Sequence, residues 1–230
     1  MTPAKTRTRV LCVLATLALL WAIPESYTWP ITTWAISMHE MGHAFAALLT
    51  GGSLDSIEMG SHHGVAWTRG GWYPIISMAG YTFTAWLTVL FWCASASPGP
   101  WTRRVLYTTL VLCALGLTVW GAWLSVGLWI GVGVTLLWLA VISRDTTGLA
   151  TAFGSGLLGY EQMKAMTHLL WSSPGQTDAN LLAHHWGLPF LAWPLAVVYS
   201  FLPLLLLAGY LRLRSRFVLR QGQIHARPEM

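Results

Sequence analysis

The chain has 230 residues, of which 55% are hydrophobic and only 9% charged, with a formal charge of +5. Together with a positive mean hydropathy, that balance excludes an ordinary soluble globular domain and describes a polytopic membrane protein. The positive charge sits mostly at the two ends, in Lys5, Arg7 and Arg9 and then Arg212, Arg214, Arg216, Arg220 and Arg227; such tails face anionic lipid headgroups, and no nucleic-acid partner is expected.

Residues 9–23 are an apolar run behind a basic start, with no small-x-small cleavage site before Pro24, so they read as a first helix or retained signal anchor. Residues 24–30 contain two prolines and read as a turn. A helix is expected over 31–49, where His39, Glu40 and His43 interrupt an otherwise apolar stretch. The pattern breaks at Thr50-Gly51-Gly52, and over 53–70 polar and apolar residues alternate, as in Leu54 to Met59 and Val65 to Thr68, which predicts a β-hairpin. His62 and His63 fall at its turn and read as solvated loop histidines.

Apolar helices follow over 73–96, 105–121 and 124–142, the first ended by Ser97-Pro98-Gly99-Pro100 and the others parted by a tight turn near Gly121. Segment 147–171 carries Glu161, Lys164 and His168 at helical spacing, so it either crosses with a polar stripe turned inward or lies along the surface. In the loop from Ser172 to Asn180, Thr177 or Asp178 caps a helix that runs through His184 and His185. Residues 189–211 are the last span, and 212–230 a basic tail. The fold class expected is therefore an all-α polytopic membrane protein, a single integral membrane domain of about six or seven transmembrane helices with a small β-hairpin after the motif helix. Counting Lys and Arg does not separate six spans from seven. Many of the 15 Trp residues lie near the ends of apolar runs, as aromatic belts do. Cys12, Cys93 and Cys113 all sit within apolar segments and read as packing residues, with no disulfide framework.

The chemistry lies in 31–49. His39 and His43 are four apart, so on a helix they stack one turn above the other and two imidazole nitrogens can converge on one metal ion. Glu40 follows the first histidine, placed to act as general base in metal-assisted hydrolysis. A titratable group at bilayer depth costs about 2.5–3.5 kcal/mol even on the lenient insertion scale. Zinc held by neutral imidazoles beside a carboxylate would offset that cost; a polar cluster hydrogen-bonding helices together is the other way to do so.

These residues resemble the site-2 protease group of intramembrane zinc metallopeptidases, the M50 family, and its short bacterial M50B-like branch. The matching features are His39-Glu40-Met41-Gly42-His43-Ala44, then Thr50-Gly51-Gly52, a hairpin ending in Trp67-Thr68-Arg69-Gly70-Gly71, an apolar span with Ala79-Gly80, and Thr177-Asp178-Ala179-Asn180 followed by Gly187-Leu188-Pro189. The resemblance implies a bacterial cytoplasmic membrane, a zinc cofactor, membrane-protein or peptide substrates, His39 and His43 as ligands, Glu40 as base, and an aspartate from another element as third ligand. The chain has neither Asn-Pro-x-x-Asp-Gly nor Leu-Asp-Gly, the family's better-known settings for that aspartate. Asp178 is preferred to Asp145, which stands beside Arg144 at a helix end where a cap or an ion pair accounts for it. His184 and His185 are further polar candidates near Asp178. The rival expectations are a non-catalytic M50-like membrane binding protein and a metal or proton transporter using the same residues as a relay.

Overall fold

A computed structural model describes residues 3–60, 62–96, 100–171, 177–201 and 205. The breaker at Ser97 to Gly99, the loop residues 172–176, the end of the last expected span and the basic tail lie outside the described residues. The elements in chain order are α1 (Pro3–Ala22), α2 (Glu25–Leu49), β1 (Ser53–Met59), β2 (Gly64–Arg69), α3 (Tyr73–Ala96), α4 (Pro100–Trp120), α5 (Val126–Arg144), α6 (Leu149–Trp171) and α7 (Asp178–His185). A final helix, α8 (Pro189–Phe201), opens with a 3₁₀ turn at Pro189–Leu191.

The motif helix α2 is the hub, in contact with α3, α4, α5, α6 and both strands. It starts six residues before Ile31, at Glu25, and runs through Pro30. That proline forfeits the hydrogen bond its N–H would have made to the Ser26 carbonyl. Thr28, Thr32 and Thr33 are nonetheless buried there, so packing outweighs the local breaker. At the other end Gly51 takes φ +83°, the Gly51 amide bonds the Leu48 carbonyl and the Gly52 amide the Ala47 carbonyl. This double closure is a Schellman stop, and it turns the chain directly into the hairpin.

Around α2 the core is built on aromatic rings. Trp34 meets Phe91 of α3 edge-on at 6.2 Å and Trp138 of α5 at 5.8 Å, and its indole N–H is satisfied by Thr135 Oγ1 at 3.1 Å. Helices α3, α4 and α5 are long and apolar enough to cross a membrane. Leu112, Leu115 and Val119 of α4 and Leu136 and Leu137 of α5 face outward, where lipid would replace water as their solvent. The chain is thus an integral, multi-pass membrane protein.

Strands β1 and β2 pair antiparallel, Ile57 opposite Ala66 and Met59 opposite Gly64, with a bulge at Asp55 whose carboxylate accepts from Arg69 Nε at 2.5 Å. The outer edge of β1 is tied down, since the Ala122 amide donates to the Ile57 carbonyl at 2.8 Å and the Ser125 hydroxyl to the Met59 carbonyl. Because the Ile57 carbonyl points outward, Ile57 and Ala66 form a pair not hydrogen-bonded to each other, and Ala66 turns its own N–H and C=O toward the far edge.

Asp145 joins α5 to α6. Its carboxylate accepts from the Gly148 amide (2.8 Å), the Thr151 amide (3.0 Å), and the Thr151 and Thr147 hydroxyls (both 3.1 Å). Its backbone carbonyl accepts from Arg103. Burial pushes the Asp145 carboxyl up, and the Thr151 and Gly148 amides with the Thr151 and Thr147 hydroxyls outweigh it, holding the group below the ordinary carboxylate range. A depressed carboxyl stabilises the fold fully above its unfolded value, near 4, and loses that contribution as pH falls through the folded value. Asp145→Ala is therefore expected to cost about 1–3 kcal/mol near neutral pH with the metal content unchanged. In thermal unfolding from pH 7 down to pH 3, the gap between parent and variant should stay constant to about pH 4 and then close.

Candidate metal centre

On α2 the His39 and His43 rings lie 4.8 Å apart, edge to face. Asp178, 139 residues beyond His39 in the chain, brings one carboxylate oxygen to both: Oδ2 is 3.0 Å from His39 Nε2 and 3.2 Å from His43 Nε2. Asp178 is free to do this because Thr177 is the cap of α7, its hydroxyl accepting from the Asn180 amide at 3.3 Å. The choice between Thr177 and Asp178 as cap is thereby settled by geometry.

The tautomer of His43 follows from its other nitrogen. Nδ1 faces the Ile76 carbonyl at 2.5 Å, and a carbonyl has no proton to give, so Nδ1 donates and Nε2 presents its lone pair. That lone pair looks at the Asp178 carboxylate. Two acceptors 3.2 Å apart need a cation between them, either a ring proton or a metal. Zinc ligands held at about 2.0–2.1 Å in a tetrahedron lie about 3.3 Å from one another. The separations of 3.0 and 3.2 Å match that spacing, so two imidazoles and a carboxylate here fit the hard-to-borderline donor set zinc takes.

One stretch of α3, Ile76 to Tyr81, mounts the whole arrangement. Ile76 orients His43, and the Ser77 hydroxyl donates to the Asp178 carbonyl at 3.1 Å. The Tyr81 ring stacks edge-on to His39 at 5.0 Å, and its hydroxyl is within hydrogen-bond reach of the Thr177 side chain. Met78 and Tyr81 pack with Ala179, Leu182 and Ala183, which seats α7 on α3. Gly80 makes room for the histidine: a Cβ there would lie 2.3 Å from His39 Nε2. Gly42 does the same for the helix pair, since a Cβ would fall 2.6 Å from the Ala79 carbonyl oxygen.

Glu40 is buried on the hairpin side of α2. Its carboxylate lies against Gly64, where a Cβ would come within 2.7 Å of Glu40 Cγ, and the Ala66 amide interacts with it. His39, Glu40 and His43 offer ligand atoms all within 4.8 Å of one another. All three and Asp178 line one cavity of about 1000 Å³, bounded by α2, β2, α3, α6 and the start of α7.

The remaining sequence candidates do not join this cluster. Asp145 caps α6, with its carboxylate saturated by four donors. His184 and His185 are exposed, the latter packed on Tyr73 at 4.9 Å. His62 and His63 are exposed at the hairpin turn, His62 Nδ1 lying 3.4 Å from Glu25 Oε1. Sequence reasoning did not find Ile76, Ser77 and Tyr81 as positioning residues; the one signal was Ala79-Gly80, small residues that permit close helix approach.

A His39-Glu40-x-x-His43 cluster on a helix packed against three helices long and apolar enough to cross a membrane defines a zinc-dependent metallopeptidase. Residues 10–210 match the family model described as Peptidase M50B-like, and the chain belongs to that family. No curated protein and no solved structure matches it. Gly80→Val should leave helix content unchanged yet push His39 aside. Zinc affinity measured by competition with a chromophoric chelator is expected to fall at least tenfold, the scale seen when the support of a ligand is disturbed.

Proposed function

We propose that the chain hydrolyses peptide bonds of membrane-associated proteins or peptides, with zinc held by His39, His43 and Asp178 and with Glu40 as general base. The approach of one Asp178 oxygen to both Nε2 atoms, at 3.0 and 3.2 Å, is the observation that supports this ligand set. Bound there, zinc would supply Lewis-acid polarisation of the substrate carbonyl and a water of lowered pKa.

The chain's own groups account for the rest. Glu40, shielded by Gly64 and Ala66, takes the proton from the attacking water and returns it to the leaving amine as the C–N bond breaks. The Nδ1–H bond to Ile76 fixes His43 so that its lone pair points inward. A substrate helix cannot offer a scissile bond while its backbone is fully hydrogen-bonded. An extended segment can instead add to the outer edge of β2, where the Ala66 carbonyl faces the same way as the amide that meets Glu40. A bundle of six or seven spans in a bacterial cytoplasmic membrane belongs to the same proposal, supported by the family match.

Glu40→Gln should keep stoichiometric zinc and lose at least about a hundredfold in cleavage of a co-expressed membrane substrate, as removal of a general base does. Asp178→Ala should lose both zinc and activity. Elemental analysis beside an immunoblot of the cleaved substrate reads both; full cleavage by Glu40→Gln, or parental zinc in Asp178→Ala, would contradict the assignment.

A further inference from the structure

The cavity that holds the metal centre continues along α2 toward its N-terminus. Thr32, Ile36, His39, Glu40 and His43 all line it, at the three- and four-residue spacing of one helix face. Four acidic groups face this cavity: Glu25, Glu40, Glu161 and Asp178. Three have partners or work already described. Glu25 is paired with Lys164 and His62, Asp178 sits between two imidazoles, and Glu40 is the base.

Glu161 of α6 is left over. It is half-buried on the cavity wall, and its Oε1 accepts one hydrogen bond, from Thr32 Oγ1 at 2.9 Å. Among the described residues no basic side chain forms an ion pair with it. Lys164, one turn further along α6, acts on it through space, but its ammonium is hydrogen-bonded to Glu25, so the half-buried Glu161 carboxylate has no cation in direct contact. The cavity beside it is where a substrate must pass, so a cation in direct contact with Glu161 can arrive with the substrate.

Its position sets which substrate residue it would meet. Thr32 lies seven residues before His39 and eight before Glu40, or about 10–12 Å along the helix axis at 1.5 Å per residue. Strand β2 runs alongside α2 in the same direction, with Gly64 against Ile36 and Glu40 and, past its end, Gly71 against Thr50. A substrate strand added to β2 therefore follows the α2 axis and advances about 3.3 Å per residue. Glu161, anchored at Thr32, is reached three to four residues from the scissile bond.

We propose that Glu161 is a specificity-determining residue that selects substrates carrying lysine or arginine three to four residues from the cleaved bond. The inference rests on the metallopeptidase reading and adds a substrate class to it. Glutamine at 161 keeps the shape and still accepts the Thr32 hydrogen bond while removing the charge, so it separates recognition from a merely structural helix contact.

The test uses the purified, zinc-loaded full chain in detergent micelles and a synthetic library of apolar peptides in which each position is varied, with cleavage products read by mass spectrometry with and without chelator. The parent should favour Lys or Arg at three or four residues from the cut by roughly tenfold in kcat/KM over a neutral residue at the same position, as expected of a charge-assisted contact in a partly desolvated site. In Glu161→Gln that ratio should fall to near one, and in Glu161→Lys acidic residues should be favoured instead. A parent without the preference, or a glutamine variant that keeps it, would overturn the role of Glu161 while leaving the peptidase reading intact. Absence of chelator-sensitive cleavage by the parent would overturn that reading, and this inference with it.

Discussion

A single carboxylate oxygen, Asp178 Oδ2, is shared by two imidazole nitrogens on another helix, and the rest of the structure is arranged so that it can be. Groups of this polarity repel or strand one another in an apolar bundle unless a cation joins them. The arrangement is also non-local, because it requires α7 to return to a helix 139 residues earlier in the chain. What makes that return possible is α3. Within six residues it supplies a carbonyl for His43, a hydroxyl for the Asp178 backbone, an aromatic face for His39 and an apolar seat for α7.

Small residues set the distances. At Gly42, Gly64 and Gly80 a Cβ would strike, respectively, the α3 backbone, the Glu40 side chain and the His39 ring, each closer than 3.0 Å. Each glycine lets a backbone stand where a side chain would otherwise be, and so lets three elements converge on one point. The hairpin owes its place to the same logic. The Schellman stop after Leu49 delivers the chain into β1, the ties from Ala122 and Ser125 fix its outer edge, and β2 is thereby held with Gly64 and Ala66 against Glu40. Fold and site are one construction, in which the Glu40 carboxylate is set by a strand and the two imidazoles with Asp178 by a helix.

Much of this was legible in the sequence where the signal is local. Four-residue spacing put His39 and His43 on one helix face, alternation marked the strands, and glycines marked the stop after α2. The start of α2 was not legible, because Pro24 and Pro30 read as a turn until the buried threonines between and after them are seen to pack. Thr177 and Asp178 are equally good cap residues in sequence, and only tertiary geometry assigns the cap to one and frees the other. The Ile76 carbonyl carries no sequence signal at all, since every residue has one. Glu161 was visible as part of a polar stripe, but its place beside Thr32 on the cavity wall depends on how α6 packs against α2.

The central claim is that two imidazoles of α2 and one carboxylate of α7 form a single zinc-binding unit, and X-ray absorption at the zinc edge tests it most directly. The expected spectrum has nitrogen and oxygen scatterers at about 2.0–2.1 Å, two of them showing the outer-shell pattern of imidazole and none of them sulfur. A sulfur shell near 2.3 Å, or a spectrum with no imidazole scattering, would contradict it.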